Sequence, residues 1–300
     1  MLEHRAVFDF EVDLSNGGGI QGQGFRLDIT GNQISDDELT AYIIRDLRLL
    51  MVGETRILNK RIVKEAHKRQ VTDSAPSGGA RVLIDLSHTI EDGMVTYRGL
   101  PAPLICDHFS YLDSHGVYAD GTEFQIGRID MVANTGTYVD VPSHRYRDGD
   151  DLAHATLNRL SALPGVVVRV SGMTGRDIDW QAFAATDVAS KAVLVQTDWD
   201  RHWRTDQYFE GHPHLTAEAS TYLRDQGALL VGIDYLNIDD TNGNKRPVHS
   251  ILLAAGIPIV EHLTNLGTLP VSGFAFHAAP PKVAGMGTFP VRAHAVLGSP

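Results

Sequence analysis

Asn134-Thr135-Gly136-Thr137-Tyr138-Val139-Asp140-Val141-Pro142-Ser143-His144 brings a glycine turn, a phenol, a carboxylate, a proline and an imidazole into one short stretch. Gly136-Thr137 permits a tight backbone turn, and Pro142 stiffens the exit. In an extended run over 138–144, Tyr138, Asp140, Pro142 and His144 share one face, because successive side chains alternate. A phenol, a carboxylate and an imidazole on one face form an acid/base array. The same residues also serve as a polar network that steadies a loop, and the residues alone leave both readings open.

Working outward, the flanks read as strands. Residues 124–132 alternate, whereas 166–170 and 192–197 are short apolar runs of the kind buried in a parallel sheet. Residues 229–234 form an apolar strand ending in Asp234, and Asp239 follows, so these carboxylates are expected to line a cleft. Further strands are expected over 82–90 and 257–261 and around 273–277 and 291–296. Helices are expected over 179–185, over 216–226 with Thr216 as N-cap, and over 248–255. Many strands with few helices predict a β-rich α/β domain over residues 81–300.

Residues 1–72 read as a separate small α+β unit, a hairpin plus a helix. Residues 7–14 alternate apolar and acidic, the pattern of a half-buried strand, and a glycine turn at 16–19 leads to a second strand within 20–29. Ser35 and Glu38 have capping-box spacing. The helix after them puts Leu39, Tyr42, Ile43, Leu47 and Leu50 on one face, with Gly53 as its stop. The basic segment 56–69 reads as a solvated face or a contact with the acidic remainder. The glycine run lacks the Gly-Lys-Ser/Thr ending of a phosphate loop and the spacing of a dinucleotide fingerprint, so it reads as a turn. Residues 73–80 have linker composition, and the domain boundary is placed there.

The chain has 300 residues with a formal net charge of −11, which argues against a nucleic-acid partner, since such binding relies on cationic side chains. A small anionic substrate is still admissible, with Arg145 and Arg147 as candidate carboxylate binders. The single cysteine, Cys106, forms no intrachain disulfide and reads as a buried structural thiol in a reducing compartment. No apolar run approaches the ~18 residues of a membrane span, and the charged start at Glu3, His4 and Arg5 is no secretory signal. The expectation is a cytoplasmic protein acting on a small molecule, with no membrane partner. Trp199 and Trp203 read as pocket wall or core, and His212 and His214 as parts of a loop before a helix.

The opening stretch resembles the signature of the cyclase family that includes bacterial kynurenine formamidases and isatin hydrolases, His-x-Gly-Thr-His-x-Asp-x-Pro-x-His. In that family the first two histidines and the aspartate bind a divalent metal. Gly136, Thr137, Asp140, Pro142 and His144 match it, whereas Asn134 and Tyr138 stand where the two histidines would be. A second match lies downstream. His249 precedes Leu252-Leu253, and Glu261-His262-Leu263-Thr264-Asn265-Leu266 is similar to the family's Glu-x-Leu-x-Asn-Leu. Asp85-Leu86-Ser87-His88 resembles the family's opening segment.

The resemblance implies a swivelling β/β/α fold, assembled as a homodimer or homotetramer. It also implies a hydrolase that opens a C–N bond (amide, N-formyl or cyclic amide) in a small, aromatic-type substrate. The candidate site is then Asn134, Tyr138, Asp140, His144, His249 and Glu261. His144 would be the acid/base, oriented by Asp140, with His249 and Glu261 completing a relay and with Tyr138 and Asn134 stabilising an oxyanion. An amide and a neutral phenol are poor substitutes for imidazole ligands, so no cofactor is the favoured expectation. The alternative is a divalent metal, zinc or manganese, held by Asp140, His249 and Glu261. Two other functions stand beside hydrolysis: a metal-independent lyase or ring-forming cyclase using Tyr138 and His144, and a non-catalytic ligand-binding protein.

Overall fold

The computed structural model describes residues 2–15, 17–29, 31–46, 49, 52–66 and 81–298. The chain divides into two compact units, Met1–Ser77 and Gly78–Pro300. The expected linker 73–80 and the helix-face residues Leu47 and Leu50 lie outside the described residues.

In the first unit, β1 (Leu2–Leu14) pairs antiparallel with both β2 (Gly19–Ile29) and β3 (Val52–Ala66). Alternation sends Ala6, Phe8, Phe10 and Val12 to one face, where they bury Leu39 and Ile43 of α1 (Asp36–Asp46). The capping box forms: Ser35 N–H donates to Glu38 Oε2 at 2.8 Å, and Glu38 N–H donates to Ser35 Oγ at 3.1 Å. Gly53 is not the helix stop, because the helix ends at Asp46 and Gly53 lies in β3. Much of the basic segment is that strand, and Arg56 pairs with Asp13 (2.9 Å) and Glu11 (3.3 Å) on its neighbour.

The second unit contains, in order, β4 (Val82–Asp85), β5 (Leu104–Phe109), β6 (Ile126–Asp130), β7 (Tyr138–Asp140), β8 (Leu163–Arg169), β9 (Asp177–Ile178), β10 (Ala192–Gln196) and β11 (His214–Leu215). Then follow α2 (Ala217–Asp225), β12 (Leu230–Ile233), α3 (Pro247–Ala254), β13 (Ile259–Glu261), β14 (Ser272–His277), β15 (Thr288–Pro290) and β16 (His294–Leu297). It is a β-rich α/β domain. Nine strands form one sheet in the order β15-β7-β13-β12-β10-β8-β14-β16-β4, parallel from β8 to β13 and antiparallel at both flanks.

The central strands are apolar throughout because both faces are covered. Val193, Val195, Val231 and Ile233 face a core with Leu223 of α2 and Val248 and Leu252 of α3. Their neighbours Ala192, Leu194 and Leu230 face a second core with Val139, Leu263 and Phe276.

Several sequence expectations are corrected. Residues 179–185 form only a single 3-10 turn, Trp180–Ala182. Asp179 caps that turn and also accepts from Thr216 Oγ1, while Phe183 turns into the core. Of the strand expected around 291–296, only 294–296 are a strand, within β16, and β15 ends before it at Pro290. Residues 126–130 pair with β5 in a two-stranded arm outside the large sheet, and Cys106 on that arm is exposed, not buried. The extended run over 138–144 stops at Asp140. Pro142 opens a 3-10 turn, Pro142–His144, because its fixed φ and missing N–H suit a first helical position and not a ladder.

Gly287 sets how closely β15 approaches that turn. A Cβ there would lie 2.2 Å from the His144 nitrogen and 2.5 Å from its Cα, while the Gly287 carbonyl accepts from Val141 N–H at 2.8 Å. Gly287→Ala is therefore expected to cost about 1–3 kcal/mol of stability and to displace His144. Urea denaturation of the variant against wild type checks this, and an unchanged midpoint would contradict the packing described.

Candidate active site

The site grows from the pairing of β7 with its two antiparallel neighbours. Val139 points into the second core, so Tyr138 and Asp140 point to the face that carries α3. The register sets Glu261 of β13 opposite Tyr138, and Thr288 of β15 opposite Asp140. Directly opposed side chains on one face are within bonding reach. Tyr138 O–H accordingly donates to Glu261 Oε2 at 2.6 Å, and the Thr288 hydroxyl donates to Asp140 Oδ1.

The 3-10 turn brings His144 back over Asp140, with Nδ1 3.5 Å from Oδ1 and 2.7 Å from Thr288 Oγ1. The Thr288 hydroxyl has one proton, and it is given to Asp140. It therefore accepts from His144 Nδ1–H, which leaves the His144 Nε2 lone pair free. This is a His144–Thr288–Asp140 chain.

His249 enters from α3. The loop after β12 supplies Asp239, which accepts from the N–H groups of Val248 (2.8 Å) and His249 (3.0 Å) at the helix start. The same carboxylate accepts from His249 Nδ1–H at 2.6 Å, so Nε2 is turned toward Asp140 Oδ2 and Glu261 Oε1, each 3.6 Å away. Asn134 lies beside the Tyr138 phenol at the cavity wall. A cavity of about 230 Å³ opens over these groups, walled also by Tyr97, Leu100 and Asn237.

The electrostatics follow from burial beside carboxylates. Burial works against a charged His249, yet Asp140, Asp239 and Glu261 outweigh it and raise its pKa to about 10. Burial, with Asp140 adding, pushes the Glu261 carboxyl up to about 7, although His249 and two donated hydrogen bonds pull the other way. Burial and the neighbouring Glu261 hold Tyr138 well above the usual phenol range, so it remains a neutral donor.

All six residues expected from the sequence, Asn134, Tyr138, Asp140, His144, His249 and Glu261, line this one cavity. The expected metal trio of Asp140, His249 and Glu261 is not the group that the geometry assembles. Both Glu261 oxygens already accept protein hydrogen bonds, Oε2 from Tyr138 and Oε1 from Ile238 N–H at 2.7 Å. Among the described residues, the donors that converge within 4.8 Å are those of Asp140, His144 and His249. Asp140 Oδ2 is buried without a partner, and His249 has its Nδ1 braced by Asp239, as metal-bound histidines commonly do. These three residues fit one divalent ion and need nothing from positions 134 or 138.

Other residues singled out in the sequence lie outside the cavity. Asp234 accepts from Thr197 and Asp198 backbone N–H groups and does not line the cavity. Arg145 donates to Ser250 Oγ at 3.2 Å, and neither it nor Arg147 lines the cavity. Trp199 and Trp203 pack against the core, with Trp203 stacked on His88 at 3.9 Å. His212 bonds the Asp239 carbonyl and belongs to no metal-binding group among the described residues. Thr288 was not anticipated. No local signal marks it, because only the β7–β15 register brings it to Asp140.

Comparison with known proteins decides the family. A family model described as "Putative cyclase" matches residues 84–240, just over half of the chain. The chain belongs to that family. Kynurenine formamidase of Maricaulis maris is 28% identical over 222 residues, covering 70% of this chain and 95% of the relative. The Bacillus cereus kynurenine formamidase is 26% identical over 182 residues, covering 60% and 81%. Isatin hydrolase A from Labrenzia aggregata, solved bound to benzyl benzoate, superposes with a TM-score of 0.64 at 22% identity, covering 76% of this chain and 98% of its own. A structure described as a predicted metal-dependent hydrolase from Bacillus stearothermophilus superposes with a TM-score of 0.58 at 26% identity, covering 73% and 99%. These superpositions support the β-rich α/β cyclase-family fold.

Burial also holds three neighbouring histidines neutral. It depresses His88 and His212 to about 4 and His262 well below the ordinary value, outweighing Asp200 at His88 and the Asp239 carbonyl and Asp240 at His212. A histidine whose folded pKa is depressed binds fewer protons folded than unfolded, so stability is lost as pH falls from about 6.5 toward 4. Glu261 and Asp234, both raised to about 7, and His249, raised to about 10, add stability over the same window. The histidine contribution is therefore read by difference. A His88→Gln variant should lose less unfolding free energy than wild type between pH 7 and pH 5 in chemical denaturation. Equal losses in variant and wild type across that window would show that the His88 ring is charged in the folded protein.

Proposed function

We propose that residues 81–300 form the catalytic domain of a hydrolase that opens the C–N bond of an amide, N-formyl group or cyclic amide in a small aromatic substrate. Residues 1–72 are an appended unit in this reading, joined through 73–80. The single observation that carries it is the His144–Thr288–Asp140 chain, which leaves His144 Nε2 free at a cavity beside His249. The kynurenine formamidase and isatin hydrolase relatives support the bond class.

His144 Nε2 takes a proton from water as the oxygen attacks the carbonyl carbon. His249, carrying a proton on Nε2 opposite Asp140 and Glu261, and the Asn134 amide are the donors for the oxyanion that develops. When the C–N bond breaks, the proton on His144 passes to the departing nitrogen. Water is thus divided between the new acid and the amine. Asp140 and Thr288 hold the His144 tautomer. Tyr138 has a different role: with Glu261 accepting its proton at 2.6 Å, it fixes that carboxylate and has no proton to spare for substrate. This disfavours the lyase or cyclase alternative, which needs Tyr138 as an acid.

A second reading is favoured by the unpartnered Asp140 Oδ2 and the convergence of Asp140, His144 and His249. These residues would hold one divalent metal, which when bound supplies a Lewis acid to polarise the carbonyl. Turnover that survives exhaustive EDTA treatment is expected on the first reading. Loss on EDTA with recovery on added zinc or manganese would select the second.

Two substitutions test the first reading on a panel of formanilides and cyclic amides. His144→Ala is expected to lower kcat by about 100- to 10,000-fold, and undiminished turnover would sink the assignment. Thr288→Val should lower kcat and shift the acid limb of the pH–rate profile, whereas Thr288→Ser should restore both. Equal behaviour of Val and Ser would remove Thr288 from the chain.

A further inference from the structure

The geometry points to Asn237 as a further donor to the scissile carbonyl oxygen, in the bound amide and, more strongly, in the oxyanion that attack creates. For catalysis this rests on the hydrolase reading above; for binding of a neutral amide it does not.

Asn237 lies in the loop that leaves β12. Its neighbours Leu236 and Ile238 are buried in the core shared with α2 and α3, and the Ile238 N–H is held by Glu261 Oε1 at 2.7 Å. Asn237, between them, lines the cavity instead and is only 9% exposed. Its side chain is not free to turn over. Oδ1 accepts from Asp239 N–H at 3.0 Å, a bond that only the oxygen end of the amide can make. The NH2 end is thereby directed away from Asp239. Among the described residues Nδ2 meets no protein acceptor, and it is not one of the polar atoms enclosed without a partner. Its protons therefore face the cavity. Asp239 orients His249 in the same manner, since its carboxylate takes the Nδ1–H at 2.6 Å and leaves Nε2 at the cavity. One residue thus sets the outward ends of both side chains.

An amide NH2 has two donors and no acceptor. A buried donor covered by an apolar ring loses its water without replacement, which costs affinity. The occupant must therefore bring an acceptor to this point. A small aromatic amide has one good acceptor, its carbonyl oxygen, because resonance withdraws the nitrogen lone pair. When water attacks, that oxygen becomes an alkoxide and the hydrogen bond to it becomes charge-assisted. Asn237 gives a hydrogen bond and keeps its protons, while the proton of the attacking water goes to His144. An interaction that strengthens between bound amide and transition state raises kcat.

The test uses formanilide and thioformanilide, which differ only in the replacement of the carbonyl oxygen by sulfur, a weak acceptor. Asn237→Ser keeps an oxygen for Asp239 N–H and withdraws the donor from the cavity. With formanilide, this variant of the full-length protein is expected to lose about 100-fold in kcat. Its Kd by calorimetry should weaken by about threefold. The loss in kcat with thioformanilide should be at least tenfold smaller. Asn237→Asp, which also keeps an oxygen for Asp239 and removes both donors, should show the same oxygen-specific loss. Equal losses with both compounds, or no loss, overturn the inference and leave the hydrolase reading intact. If the wild type turns over neither compound, the hydrolase reading fails and the inference is judged on Kd alone. Weaker formanilide binding by Asn237→Ser then supports it, and an unchanged Kd overturns it. Failure of the wild type to bind formanilide overturns it outright.

Discussion

Strand β7 is three residues long, yet its register with β13 and β15 holds the candidate site together. Ladder bonds to both neighbours fix Tyr138 opposite Glu261 and Asp140 opposite Thr288. A slip of one residue would turn Val139 into the cavity and bury Tyr138 and Asp140 in the apolar core on the other side, which the side-chain period of two makes prohibitive. The core therefore specifies the register, and the register specifies the hydrogen bonds. Gly287 and Pro142 then bring His144 within reach of the same strand, one by omitting a side chain and the other by starting a helical turn.

Charge is the second constraint. Three carboxylates and one imidazole share a poorly solvated volume, and each is tied to a donor: Asp140 to Thr288, Asp239 to the first turn of α3, and Glu261 to Tyr138 and the Ile238 amide. His262 supports the arrangement from behind. It adopts a left-handed φ of 57°, a conformation that costs on the order of 1–2 kcal/mol for a side chain with a Cβ. Its backbone N–H bonds Tyr235, its carbonyl accepts from Thr137, and its ring bonds Tyr208. Those contacts offset the strain and hold Glu261, the preceding residue, at the cavity. Tyr138 fits this scheme as the donor that holds Glu261, with Asn134 beside it at the cavity wall.

Much of this was legible in the chain. Apolar runs at 192–196 and 230–233 predict buried parallel strands because both of their faces must be covered, and they are such strands. The capping box at Ser35 and Glu38 and the Thr216 cap are local devices that form as their spacing dictates. Less legible were features that depend on distant partners. Residues 179–185 carry helical spacing, but Asp179 is claimed by Thr216 and only one turn survives. Cys106 looked like core because its neighbours are apolar, yet its strand pairs only within an exposed two-stranded arm.

The same division runs through the site. The sequence by itself determined the residue types available and their grouping on a short strand, a helix and a strand end, since alternation and helical spacing act within a few residues. It therefore identified Asn134, Tyr138, Asp140, His144, His249 and Glu261 as candidates. Only the tertiary structure decided who bonds to whom. Glu261 is engaged by Tyr138, Asp140 is bridged to His144 by Thr288, and His144, not Glu261, joins Asp140 and His249 as converging donors. The physical reason is that register between strands, set by burial of Val139, Val260 and their neighbours in the core, chooses partners that lie more than a hundred residues apart in the chain.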